Sequence, residues 1–121
     1  MYSFKKYDNN IYYFKLANLI ESEFINYIND FDYIFYKKKK FKLIFDLSEI
    51  SIKDVLYIKP KIIYMNKNKN NTNKFLIKST IIINNDTILK IINNLILSIY
   101  KPIKPNLIVN NLNKAFEYLN N

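Results

Sequence analysis

Residues 41–47 read FKLIFDL and residues 75–83 read FLIKSTIII. Each is a nearly continuous apolar run with a single Lys, dense in branched or aromatic side chains. Runs of this kind suit strands buried on both faces, as in a mainly parallel sheet covered by helices. Both are therefore expected to lie at the centre of the sheet.

Outward from these runs, the punctuation is supplied by Asn, because the chain has no glycine. Any turn that needs a positive φ must then use the next most tolerant residues, Asn and Asp. Asn9-Asn10 separates the aromatic-rich runs YSFKKYD and IYYFKLA, which reads as an opening β-hairpin. Asn18 then begins a helix, with Glu21 at the third helical position to answer the cap. Its apolar face is expected at Ile20, Phe24, Tyr27, Ile28, Phe31 and Phe35, three or four residues apart, and it ends in the cations Lys37 to Lys40.

After the first central strand, Ser51-Ile-Lys-Asp54 reads as a second helix start, and Pro60 is expected to split or shorten that helix. The polar stretch 66–74, NKNKNNTNK, reads as an exposed loop. Asn85 or Asp86 caps a third helix carrying Ile88, Leu89, Ile92, Leu95, Ile96 and Ile99, which stops before Pro102. NLIV (106–109) is a short strand, and a last helix buries Leu112, Ala115, Phe116 and Leu119. The order β-β-α-β-α-β-α-β-α predicts an α/β fold: one small domain over 1–121 with a mainly parallel sheet of four or five strands and an N-terminal hairpin.

Two segments give this order a family likeness. Asp46-Leu47-Ser48 ends a strand, and Asp54 follows Asp46 by eight residues at a helix start. The closing LIVNNLNKAFEYL places Ala115 and Leu119 at the apolar positions of a final strand and helix. With the element order, these features resemble the STAS domain, the fold of anti-anti-sigma factors and of the cytoplasmic tails of sulfate transporters. The resemblance implies a regulatory or scaffolding module that binds another protein. It also implies that the loop after the central strand, with Asp46, Ser48, Ser51 and Asp54, is the place to look for an interaction. Val55, Leu56 and Tyr57 replace the family's Ser-Ser-Gly, so its regulatory phosphoserine would fall on Leu56, which has no hydroxyl.

Read without the resemblance, Asp46 stands at the C-terminal end of a central strand, where ligands bind in open α/β sheets. The competing reading is that Asp46 or Asp54 caps the next helix or fixes its loop. Much conventional catalytic equipment is absent from the sequence. Without His there is no imidazole base or ligand, without Cys no thiolate, and without Gly no phosphate-cradling loop. Carboxylate pairs and a Lys nucleophile are the routes left, and Glu21 and Glu23 face different sides of their helix. No enzymatic activity, cofactor or metal is expected.

All 19 basic residues are Lys against ten acidic ones, for a net charge of +9. The excess of Lys, Asn, Ile and Tyr matches the codons of a very A/T-rich genome, so part of the charge is expected to be mutational drift toward Lys rather than selection for function. Weak, salt-sensitive attraction to nucleic acid is nevertheless expected as an alternative function. A structural role in an assembly, viral ones included, is another. The start MYSFKKYDNN lacks the layout of a signal peptide, and the best apolar stretch, ILKIINNLILSIY, is broken by Lys90, Asn93 and Asn94. An intracellular, cytoplasmic protein that does not insert into a membrane is expected; the protein partner and the oligomeric state are left open.

Overall fold

The two apolar runs become neighbouring inner strands of a five-stranded mixed sheet. The computed structural model describes residues 2–17, 20, 22–99, 102 and 104–121, without the side chain of residue 9. In chain order the elements are β1 (Ser3–Tyr7), β2 (Ile11–Lys15), α1 (Glu23–Tyr36), β3 (Phe41–Asp46), α2 (Val55–Lys67), α3 (Lys69–Phe75), β4 (Leu76–Ile82), α4 (Asp86–Ile99), β5 (Asn106–Val109) and α5 (Leu112–Leu119). The sheet order is β1-β2-β3-β4-β5, with β1 antiparallel to β2 and every later pair parallel.

The opening hairpin turns through a short 3-10 segment, Asp8–Asn10, and Asn10 takes the positive φ of 57° that a glycine would otherwise supply. Along β2 the side chains alternate. Tyr12 and Phe14 join a core with Tyr27, Phe31 and Ile34 of α1 and with Phe41 and Leu43 of β3. Phe14 lies flat on Phe31, ring centroids 4.6 Å apart and planes 9° from parallel. Next to that core, Leu16, Leu47 and Ile81 pack with Ile58 of α2 and with Ile88 and Ile92 of α4.

The opposite face holds Ile11, Tyr13, Ile44 and Ile82, packed against Ala115 and Leu119 of α5. Helix α5 is capped by Asn111, whose side chain accepts from the Lys114 amide at 2.9 Å. At its far end Lys42 Nζ donates to the Leu119 carbonyl, placing a cation on the negative end of the helix. The cap of α4 is Asn85, which accepts from the Ile88 amide at 3.1 Å.

Several expectations need correction. Residues 66–74 are not a loop: α2 runs to Lys67, and α3 then carries a fully buried Thr72 into β4. The stretch is polar, but it contains neither Gly nor Pro, and Asn or Lys in a helix costs well under ~1 kcal/mol per residue. The two helices meet at Asn68, whose side-chain amide donates to the Tyr64 carbonyl at 2.9 Å. Pro60 neither splits nor shortens α2, which continues for 13 residues. The carbonyl that loses its donor there belongs to Leu56, on the exposed side where water can serve it, and Lys61 Nζ folds back onto the Tyr57 carbonyl at 2.9 Å.

On α1 the buried positions are Tyr27, Phe31 and Ile34, with Phe24 and Phe35 partly covered; Ile20 is exposed and Ile28 half-buried. The cap expected at Asn18 with Glu21 lies outside the described residues. The helix ends at a Lys: Lys38 adopts φ 52°, a position usually given to Gly or Asn. Among the described residues no helix is long and apolar enough to cross a membrane.

Candidate functional site

The loop after β3 brings its four polar candidates together as two local pairs. Asp46 is buried, and both of its carboxylate oxygens are used: Oδ2 accepts from the Tyr13 hydroxyl and Oδ1 from the Ser48 amide, the latter at 2.9 Å. The second bond makes the tight turn that leads the chain out of the strand. Burial pushes the Tyr13 phenol up from its ordinary value, and the hydrogen bond to Asp46 and that group's charge push it further. Beside this pair, the exposed Glu49 forms an ion pair with Lys15.

The second pair starts the helical stretch. Asp54 Oδ2 accepts from the Ser51 amide at 2.9 Å and from the Ser51 hydroxyl at 3.1 Å, closing a capping box at the 3-10 turn that precedes α2. These contacts define the loop. Among the described residues no group of three or more His, Cys, Asp or Glu side chains is placed to hold a metal ion.

The residue that sequence reasoning missed is Lys61. It is only 3% exposed, although its aliphatic neighbours in the sequence gave no sign that one Lys among 19 would be interior. The signal was its spacing: Ile58, Lys61 and Met65 lie at i, i+3 and i+7 and form the buried side of α2. The Tyr57 carbonyl accepts one of its protons, and the rings of Tyr27 and Phe24 stand 5.7 and 5.8 Å from Nζ. Loss of water pulls the Lys61 ammonium down to about 8, against the weaker upward pull of Glu23 and Asp54. One Glu23 oxygen, Oε2, is itself buried without a hydrogen-bond partner.

A surface feature accompanies Lys61 on the outer side of the same helix. Phe24 and Ile28 of α1 face Leu56, Pro60, Ile63 and Tyr64 of α2 across an apolar groove, and the charged residues that line it are Lys59 and Lys67. Leu56 stands 80% exposed beside it.

Two stability measurements follow. Asp46→Ala removes the acceptor of a buried phenol and of a turn amide, and is expected to lower unfolding free energy by about 2 kcal/mol in a denaturant titration. Lys61→Met is expected to raise it. In the folded chain Lys61 releases its proton near pH 8 instead of 10.5, so the charged form is disfavoured in the native state by about 3 kcal/mol. Between those values the unfolded chain binds more protons, and wild-type stability rises with pH. The advantage of Lys61→Met should therefore be greatest below pH 8 and fade as pH climbs toward 10.5. An advantage that is absent at pH 7, or that grows with pH, would contradict this account.

Comparison of the chain with protein-family models, with curated proteins and with solved structures gives no match.

Proposed function

We propose that the chain is a non-enzymatic protein–protein interaction module of regulatory or scaffolding type, related in fold to the STAS domain. The observation that carries the reading is the apolar groove between α1 and α2. It sets several apolar side chains of two helices side by side, with Lys59 and Lys67 at its border. An amphipathic helix of a partner protein suits it, with apolar side chains against Phe24, Ile28 and Ile63 and acidic ones toward Lys59 and Lys67. The helix order after an opening hairpin, and the strand-end Asp46 followed by the Ser51–Asp54 cap, support the family likeness.

Leu56 bears on regulation. It stands where the family's phosphorylatable serine would be, and it presents an exposed apolar side chain to the groove. Contact with a partner at this point is then apolar and constitutive, without a phosphate switch. Leu56→Glu puts a carboxylate at this point and leaves the core untouched, so stability should change by no more than about 0.5 kcal/mol. Chromatography of a native-source extract over the two immobilised proteins tests the reading. A protein retained by wild type at both low and high salt, and lost on the Leu56→Glu column, is the expected result. Equal retention on both columns would remove the groove from consideration.

A second reading, weak binding of nucleic acid, rests on a cluster of lysines near the start of the parallel strands. The ammonium of Lys6 is held below its ordinary value, chiefly by contact with Lys37 and by that group's charge, with Lys39 adding a smaller effect. Lys37 lies 4.5 Å from the centre of the Tyr33 ring. Lysine neutralises phosphate as a point charge but reads base edges poorly, and there is no Arg to form bidentate contacts. Oligonucleotide affinity should be indifferent to sequence and fall on the order of a thousandfold between low and physiological salt. Fluorescence titrations of several single-stranded and duplex sequences at two salt concentrations check this; tight binding at the higher salt would place nucleic acid first.

A further inference from the structure

Several lysines of the chain are tied to the fold: Lys40, Lys42, Lys61 and Lys78 donate to backbone carbonyls, and Lys15 pairs with Glu49. Lys6 and Lys37 are arranged differently. Their ammonium groups are in contact with each other, and the other groups acting on them most strongly are Tyr33, Tyr12 and Lys39, none of them a carboxylate. Aromatic rings hold both in place. Lys6 Nζ lies 5.9 Å from the centre of the Tyr12 ring, its partner across the hairpin, and Lys37 Nζ lies 4.5 Å from that of Tyr33, one turn earlier on α1.

The rings are themselves braced. Phe4 shares a face of β1 with Lys6, lies flat on Tyr12 at 5.8 Å and meets Tyr33 edge-on at 6.4 Å. Two like charges brought together repel, and an anion between them turns that cost into attraction. A phosphate group suits the place, because its oxygens can accept from both ammonium groups at once. Beside it stands Tyr36, whose 85% exposure is the highest of any large apolar or aromatic side chain among the described residues. Tyr36 and Lys37 flank Tyr33 on the helix surface, three and four residues on. The nearest acid in the sequence, Asp32, accepts from Tyr64 at 3.3 Å on the α2 side of the helix, away from Lys6 on β1.

We infer, resting on the nucleic-acid reading above, that the end of α1 and the edge strand β1 form a site for single-stranded nucleic acid, in which Lys6 and Lys37 share a backbone phosphate and an unpaired base stacks on Tyr36. Bases in a duplex are already stacked on each other and offer Tyr36 no face. A single strand supplies both the free base and the phosphate. Stacking tolerates any base, in keeping with a chain that has no Arg for reading base edges.

The probe is a fluorescent oligothymidylate of about ten nucleotides, titrated with the full chain at low salt beside the same strand annealed to oligoadenylate. Tyr36→Ala should weaken binding of the single strand roughly tenfold and of the duplex by less than about twofold. Tyr36→Phe keeps the ring and should bind both probes like wild type. The exposed ring of Tyr36 is not part of the core, so both variants should melt with the wild type. Lys6→Gln combined with Lys37→Gln should reduce the slope of log affinity against log salt by about 0.7, the share of one phosphate on a single strand. If Tyr36→Ala weakened both probes alike, or neither, the site would be overturned while nucleic-acid binding stood. A loss in Tyr36→Phe equal to that in Tyr36→Ala would also overturn it, as would an unchanged salt slope in the lysine double variant. Absence of binding to either probe at low salt would remove the nucleic-acid reading and the site together.

Discussion

From β1 to β5 the sheet advances one strand at a time in a single direction. Parallel crossovers nearly always share one hand, and crossovers that all step the same way must lay their helices on the same face. The packing follows from that constraint. Helices α1, α2 and α4 crowd one face, which takes most of the large aromatic rings, whereas among the described residues α5 is the helix on the other. Eight residues must cover that second face. They do so by close approach at the fully buried Ala115, with Tyr7 turned edge-on against Phe116 to widen the cover. Near the strand ends the phenol of Tyr13 meets Asp46, so the carboxylate read from the sequence as an interaction candidate is drawn into the packing of the sheet.

A chain without glycine meets its backbone needs with side chains that carry other duties. Asn10 and Lys38 both hold positive φ, at the hairpin and after α1. The helix caps at Asn85 and Asn111 are again Asn, and a capping box between Ser51 and Asp54 introduces α2. Lysine is likewise put to structural use: Lys42 and Lys78 hold the carbonyls of Leu119 and Asn121, and Lys40 that of Lys74. Part of the positive charge is thereby tied to the fold, which tempers its meaning as a sign of polyanion binding.

The elements most legible in the sequence were those with an unambiguous apolar period. The runs at 41–47 and 75–83, the hairpin at Asn9-Asn10 and the faces of α4 and α5 all follow directly from spacing. Composition misled where it stood in for physics. The polar stretch 66–74 looked like a loop, although none of its residues forbids a helix and Thr72 has a buried place waiting. Pro60 looked like a break, but the carbonyl it orphans is on the outside of the helix. Of the site, Asp46, Ser48, Ser51 and Asp54 were visible as residues, while their mutual pairing required coordinates. Lys61 was hidden by the abundance of its own kind. Its period on α2 was readable, but burial of a charge runs against the expectation for Lys.

The stepwise strand order also bears on how the chain is assembled. Each strand after the first pairs with the one made just before it, so contacts across the sheet stay short-range for a parallel fold and can form in order as the N-terminus emerges during synthesis. The exception is the last helix, whose Leu119 packs with Ile11 from the opening hairpin. Until α5 arrives, Ile11, Ile44 and Ile82 lie open on one side of an otherwise finished sheet. The nascent chain therefore carries a sticky apolar face until residues 112–119 have folded onto it, and it is this face that a chaperone would shield.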